Sequence, residues 1–338
     1  IVIVDTGSTD RTKAEARRFT DRVFDFEWCD DAAKARNFGL AECRIDYVMW
    51  LDADDVIDES DARRLRQIVA GPKDWDVLML PYHYRRDEHG RTTVLQVRER
   101  IFDRRMGFSF EYPAHECVKI PPGARVGRAM YVKIVHNNLF RHEPSNVRHL
   151  RILSKAVETD DYRNSFRMWW LLAREERPEK SVLIFRKVLA DFASRPGFSQ
   201  PLHAKIWYEL GQRLFSLNRL DEALEAFGRS ISLYPLWREP FFAGGKTLFA
   251  QRRQREALSM FKLAGRISPP DVSDVVSYDP SIYDGEQYFE WLFTAYHAVG
   301  DLENARQALA QGIRAIPQSA VFQQRCVEFG VPFLSDRF

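Results

Sequence analysis

Between residues 200 and 270 the chain repeats itself at an offset of 34 residues, a period that leaves few architectures open. Gly211 aligns with Gly245, Leu214 with Leu248, Ala223 with Ala257, Phe227 with Phe261 and Pro235 with Pro269. The stretch carrying Phe289, Tyr296, Ala305, Leu309 and Pro317 repeats the spacing after an insertion at 269–284 rich in Asp, Ser and Pro. A weaker earlier copy holds Trp169, Leu172 and Phe185. Small residues let paired helices approach, large ones fill the groove between them, and proline ends the second helix. An all-α stack is therefore predicted from about Pro144 onward.

The first half follows another rule. Ile1–Val4 is apolar at consecutive positions, as in a strand buried on both faces of a parallel sheet, and Asp5 stands at its end. Thr6 to Asp10 supply turn and capping residues before a helix predicted to about Phe19. A strand at Val23–Phe26, a helix over 31–43 and an apolar run Tyr47–Leu51 ending in Asp52 continue the alternation. This pattern predicts a doubly wound α/β sheet with Asp5 and Asp52 facing one crevice beyond the strand ends. After a helix over Asp61–Val69, the β-prone runs Val77–Tyr84 and Thr93–Phe102 flank Asp87, Glu88, His89 and Gly90 and predict a hairpin. Met130–Val135 is a further strand leading to His136. The expected division is 1–143 for the α/β domain and 144–338 for the helical repeats.

Composition narrows the partners. With 338 residues, 45% hydrophobic, the chain is long enough for two domains. Lys and Arg number 50 against 48 Asp and Glu, so the net charge of +2 sets up no field that would favour nucleic acid or a membrane surface. Cys29, Cys43, Cys117 and Cys326 have neither metal-site spacing nor disulfide density and are read as reduced residues of a cytoplasmic protein. No apolar run reaches the roughly 18 residues a membrane span needs. The chain opens on an apolar run without Met, so an upstream segment is expected.

The densest chemical signal is Leu51-Asp52-Ala53-Asp54-Asp55. Carboxylates this close repel one another unless a cation or a hydrogen-bond network compensates, and Mg²⁺ or Mn²⁺ completes its shell with phosphate oxygens and water. An isolated triplet of this kind is also a common capping loop. Here it stands in order with IVDTGSTDRT at 3–12, Ala35-Arg36-Asn37-Phe38-Gly39 and WLDADD at 50–55. Together these motifs resemble glycosyltransferase family 2, over about the first 140 residues. The resemblance implies a GT-A type α/β fold, a nucleoside diphosphate sugar as donor, UDP-sugars being the commonest, metal dependence and inverting hexosyl transfer. Carried over by motif, Asp5 contacts the nucleoside, Arg36 and Asn37 lie near ribose and diphosphate, Asp52 touches the ribose or metal-bound water, and Asp54 is the metal ligand. His136 is expected to complete the metal site, with Arg141 and His142 as weaker candidates for the diphosphate. That family begins with a further strand and helix before IVDTGSTDRT.

Tyr112-Pro113-Ala114-His115-Glu116 follows Arg100-Ile101-Phe102 and resembles a His and Glu pair in related transferases. Inverting transfer needs one base, and Glu116 is the first candidate, with His115 orienting it or acting instead. Both residues could equally make only a hydrogen-bonded turn. In the second half, Trp207, Gly211, Ala223, Phe227 and Pro235 resemble the tetratricopeptide repeat, a family that presents a concave surface to peptides and proteins. That implies a protein, peptide or glycan acceptor, or a homodimer formed through the repeats. Two other readings stand beside this one: a repeat scaffold with an inactive α/β half, and a nucleotidyltransferase, for which GSTDRT is too short and acidic as a triphosphate loop.

Overall fold

A computed structural model describes residues 1–86, 90–137, 145–193, 199–269, 279–283 and 285–332, with only the backbone at 145 and 280. The hairpin tip Asp87 to His89 and the diphosphate candidates Arg141 and His142 lie outside the described residues. The chain divides into two compact units, residues 1–84 with 96–175, and residues 85–95 with 176–338.

In the first unit β1 (Ile3–Asp5), α1 (Thr12–Ala16) and β2 (Val23–Asp25) open the fold, β1 and β2 pairing in parallel from Ile3 opposite Val23. The first helix stops at Ala16, short of the expected Phe19, whose ring is exposed. α2 (Ala32–Ala41) starts where the Asp31 carboxylate accepts the Lys34 amide at 2.9 Å. It packs so tightly on β1 that a Cβ at Gly39 would stand 2.8 Å from Val4. Then come β3 (Tyr47–Met49), β4 (Asp55–Val56), and α3 (Glu59–Ala70), capped by Asp58 on the Asp61 amide. The long neighbours β5 (Val77–Arg86) and β6 (Thr92–Asp103) carry the expected hairpin. β7 (Ser109–Glu111), β8 (Cys117–Lys119), β9 (Val126–Arg128) and β10 (Ile134–His136) complete the strands.

The main sheet runs β3-β6-β5-β10-β4, with β9 also on β5, and it mixes parallel and antiparallel pairs. Consecutive burial along β5 explains its apolar run. Leu78, Leu80 and Tyr82 join Ile101, Ile134 and Leu65 of α3 in one cluster, while Val77 joins Val48, Phe102, Phe110 and Ala33 of α2 in another. Side chains alternate across the sheet, so these clusters occupy its two faces. Among the described residues β1 pairs only with β2, so the expected continuous doubly wound sheet is replaced by separate sheets bridged by α2. The last strand is also shorter than Met130–Val135. Residues 129–132 make a turn closed by the Val132 amide on the Ala129 carbonyl, and pairing starts at Ile134 and runs through His136. Two helices end the unit, α4 (Ser145–Ala156) and α5 (Phe166–Glu175).

The second unit holds α6 (Pro178–Phe192), α7 (Gln200–Ser216), α8 (Leu220–Leu233), α9 (Arg238–Ala250), α10 (Gln254–Ala264), α11 (Pro280–Tyr283), α12 (Glu286–Ala298), α13 (Leu302–Ala315) and α14 (Ala320–Phe329). The 34-residue offset relates α7 and α8 to α9 and α10. A Cβ at Gly211 would come within 2.5 Å of the Phe227 ring, and one at Gly245 within 2.7 Å of Phe261, so both glycines are fixed by helix approach. The tight turns between α7 and α8, α9 and α10, and α12 and α13 place Asn218, Arg252 and Gly300 at positive φ. All four cysteines are free thiols. No described helix is long and apolar enough to cross a membrane.

At the start of α9, Glu239 is buried, accepting Tyr283 Oη–H at 2.8 Å and the Asp279 amide at 3.1 Å. Burial lifts its carboxyl to about 7, against the pull of those hydrogen bonds. A carboxyl raised on folding binds more protons folded than unfolded, so its contribution is full below pH 4.5 and is lost as pH rises through 7. The wild-type difference in urea-unfolding free energy between pH 5 and pH 8 should shrink by roughly 2–3 kcal/mol in Glu239→Gln. An unchanged difference would contradict this reading.

Candidate active site

The acidic triplet runs from β3 into β4 through a turn closed by hydrogen bonds between Asp52 and Asp55. The Asp55 amide donates to the Asp52 carbonyl at 3.0 Å, and the Asp52 amide donates to Asp55 Oδ2 at 3.1 Å. β4 then pairs antiparallel with β10, His136 opposite Asp55 and Val135 opposite Val56. The Asn137 amide donates to the Asp54 carbonyl at 2.7 Å, extending that pairing. This two-residue strand brings a histidine eighty positions away beside the triplet.

Asp55 is the anchor. Its side chain and that of Arg100 on β6 are both wholly buried and meet at 3.0 Å. Tyr82 on β5 donates to Asp55 Oδ1 at 2.8 Å and lies 3.0 Å from His136 Nδ1, which is itself 3.2 Å from Asp55 Oδ1. Burial, with the Asp55 charge behind it, pushes the Tyr82 phenol well up, so it stays a neutral donor. The Arg100 guanidinium lies over Trp50 at 3.9 Å and Tyr82 at 4.2 Å, and its Nε and second terminal nitrogen are buried with no hydrogen-bond partner among the described residues. Aromatic faces substitute in part for the missing acceptors.

Asp52 accepts from Arg36 of α2 at 2.5 Å, and the same arginine donates to Glu116 at 2.6 Å. Its guanidinium also lies 4.6 Å from the Trp50 ring and 5.6 Å from Phe110. Burial opposes the charge on all three groups and loses. Arg36 is held up by Glu116 and Asp52, and both carboxyls are held below their usual range chiefly by Arg36. Asn37, next on α2, uses its whole amide on the Phe110 backbone, accepting at 2.7 Å and donating at 2.9 Å, which locks the helix to β7. Asp5 is buried and accepts the Gly7 and Ser8 amides at 3.0 and 2.9 Å. Burial pushes its carboxyl up, but Ser8, Gly7 and Lys13 together bring it below the usual range.

Asp54 faces His136 Nδ1 at 3.5 Å, and Asp54, Asp55 and His136 present ligand atoms within 4.8 Å of one another. Five carboxylates, Asp52, Asp54, Asp55, Glu99 and Glu116, share this region with three guanidinium groups, those of Arg36, Arg98 and Arg100. The residual negative charge and a donor set of carboxylate oxygens with one imidazole fit a small divalent cation, and the imidazole favours Mn²⁺ over Mg²⁺. His115 stands apart from this group: its Nε2 is 3.1 Å from Glu175 of α5. A surface depression lined by Asp31, Lys34, Asn37, Tyr112 and Tyr162 opens beside α2 and includes neither the triplet nor His136.

Of the residues singled out from sequence, Arg36, Asp52 and Glu116 form one cluster and Asp54 and His136 another, joined through the Asp52–Asp55 turn. Asp5, Asn37 and His115 have their polar atoms engaged elsewhere. Asp55, Trp50 and Arg100 stood out in sequence only as members of motifs, with no role of their own, and Tyr82 did not stand out at all. The one available signal was the third carboxylate of the triplet, since its burial depends on a cation from β6.

The fold and site thus define an α/β domain with an acidic strand-end cluster, followed on the same chain by paired helical repeats. Residues 1–137 match the model of glycosyl transferase family 2 and residues 204–237 that of the tetratricopeptide repeat, so the chain carries a family 2 glycosyltransferase domain followed by repeats of the second kind. A TPR repeat-containing protein of Synechococcus elongatus is 31% identical over 119 residues, 35% of this chain and 28% of that protein. The chain therefore spans little more than a quarter of that relative's length. Among solved structures, MamA is 13% identical over 56% of this chain and 89% of its own, with a TM-score of 0.40. YrrB, a TPR protein with an unusual peptide-binding site, is 19% identical over 54% and 84%, with a TM-score of 0.41.

Removing Arg100 while Asp55 stays buried leaves an uncompensated charge, a change that costs about 3–5 kcal/mol. Arg100→Leu should lose that much in urea unfolding, and adding Asp55→Asn should restore a large part of it. If the single variant unfolds like wild type, the pair does not anchor the site.

Proposed function

We propose that this chain is an inverting, metal-dependent glycosyltransferase that moves a sugar from a nucleoside diphosphate sugar, UDP-linked, to a peptide or protein side chain. The observation that carries the reading is the pairing of β4 with β10, which sets His136 against Asp54 while Asp52 sits one turn away on Arg36. Asp54 and His136 would hold the cation, with Asp52 close enough to order its water. A cation held there would supply charge neutralisation to the departing diphosphate.

The protein's own residues supply the rest. Asp55 keeps the triplet's backbone in place and, through Tyr82 and Arg100, holds His136 Nδ1 on the side of the carboxylates. Arg36 is the cation best placed to meet the diphosphate. Donor phosphates compete with Glu116 for its guanidinium, and as that contact loosens the carboxylate becomes a stronger base. Glu116 then takes the proton of the acceptor hydroxyl as its oxygen attacks the anomeric carbon. The bond from that carbon to the diphosphate oxygen breaks in the same step, so the configuration inverts. Asn37 keeps α2, and with it Arg36, seated on β7. His115 takes no proton in this scheme. The family match over 1–137 supports the donor class, and the helical repeats support a peptide or protein acceptor over a glycan.

Thermal unfolding with UDP and Mn²⁺ together should raise Tm above either alone, and Asp54→Ala or His136→Ala should abolish the metal-linked part. No shift in the wild type would favour a repeat scaffold with an inactive α/β half. Under single-turnover conditions Glu116→Gln should lower the transfer rate about 10²–10⁴-fold while UDP binding persists. Wild-type turnover in that variant would remove Glu116 as the base.

A further inference from the structure

A second cluster of metal-ligand side chains lies outside the triplet, on the turn between β7 and β8 and the two helices that end the first unit. His115 Nε2 is 3.1 Å from Glu175 Oε1, and His149 Nδ1 of α4 is 3.5 Å from the same oxygen. The two imidazole rings stand 4.4 Å apart at 54°, and the three ligand atoms lie within 4.8 Å of one another. Zinc held tetrahedrally at about 2.0–2.1 Å spaces its ligand atoms about 3.3 Å apart, close to both measured separations.

The surroundings are built to hold this convergence. His115 adopts a φ of 52°, in the left-handed region that costs a residue with a Cβ about 1–2 kcal/mol, and Tyr112 shares that strain at 77°. Arg167 of α5 donates to the His115 carbonyl at 3.0 Å and lies over the Tyr112 ring at 4.9 Å, so the same helix that carries Glu175 fixes the turn that carries His115. Side-chain exposures of 29%, 20% and 16% for His115, His149 and Glu175 leave an ion a way in and a fourth position for water. A lone histidine–glutamate contact would need one imidazole. Here two rings from separate elements are directed at one carboxylate oxygen.

We propose that His115, His149 and Glu175 form a zinc site. Two imidazoles with one carboxylate suit Zn²⁺ better than the hard cations that fit the triplet. The ion ties the β7–β8 turn to α4 and α5. Since Glu116 follows His115, it also steadies the residue that the proposed function uses as base, a consequence that rests on that reading, whereas zinc binding does not.

The test uses the full chain in an Asp54→Ala background, so that the triplet does not contribute. After treatment with chelator and dialysis against micromolar zinc chloride, metal analysis should find one zinc per chain. Cobalt in its place should give the visible absorption bands of a four-coordinate ion. Adding His149→Ala or, with less change of shape, Glu175→Gln should weaken zinc binding at least tenfold and remove those bands. Absence of zinc from the Asp54→Ala chain, or equal zinc in all three chains, would overturn the site. Failure of sugar transfer would leave it untouched, because neither readout involves a donor or acceptor.

Discussion

The buried ion pair between Asp55 and Arg100 is the constraint on which the active-site side of the molecule depends. Two opposite charges with no solvent exposure must meet, and their remaining polar atoms cost stability unless other groups take them up, as the Trp50 and Tyr82 ring faces do in part for Arg100. Asp55 meets this condition with Arg100, Tyr82, His136 and the Asp52 amide. In doing so it draws β3, β4, β5, β6 and β10 to one point. The shape of the acidic turn follows from that convergence rather than from any propensity of residues 51–56.

Around this anchor the charges are graded. Asp55 is sealed, Asp54 is nearly so beside His136, and Asp52 with Arg36 is partly open to solvent. A helix delivers the arginine and a strand delivers the histidine, so both arrive on rigid elements, as a site that must position a reacting group requires. Trp50 lies within cation–π distance of both Arg36 and Arg100. Neutralisation is incomplete, and the proposed cation occupies the part of the cluster where imidazole, not guanidinium, faces the carboxylate.

Much of this was legible in the chain and some was not. The repeat periodicity located the helix pairs because Gly211 and Gly245 are forced by contact with an aromatic ring, a constraint that writes itself into sequence. The β-prone runs at Val77–Tyr84 and Thr93–Phe102 announced the neighbouring strands β5 and β6. The two-residue strand β4 gave no signal, since its pairing with β10 comes from tertiary context and the Asp55 anchor, and only the family resemblance joined His136 to the triplet. The short pairing of β1 with β2 alone was equally hidden: the apolar run Ile1–Val4 predicts a strand buried on both faces, whereas Ile1 is exposed and Ile3 and Val4 are only partly buried. Asn37, which the resemblance put near ribose and diphosphate, has its amide on the Phe110 backbone. Glu116 and His115, adjacent in sequence, turn to different partners because the left-handed backbone at His115 splits their directions.

In the proposed function Asp54 and His136 grip the cation that meets a nucleotide's diphosphate. Anomalous diffraction from crystals grown with Mn²⁺ and UDP should then show a manganese peak within about 2.5 Å of an Asp54 carboxylate oxygen and of His136 Nδ1, with diphosphate oxygens completing the shell and Arg36 turned toward them. Nucleotide and manganese bound elsewhere, with Asp54 and His136 still facing only each other, would contradict it.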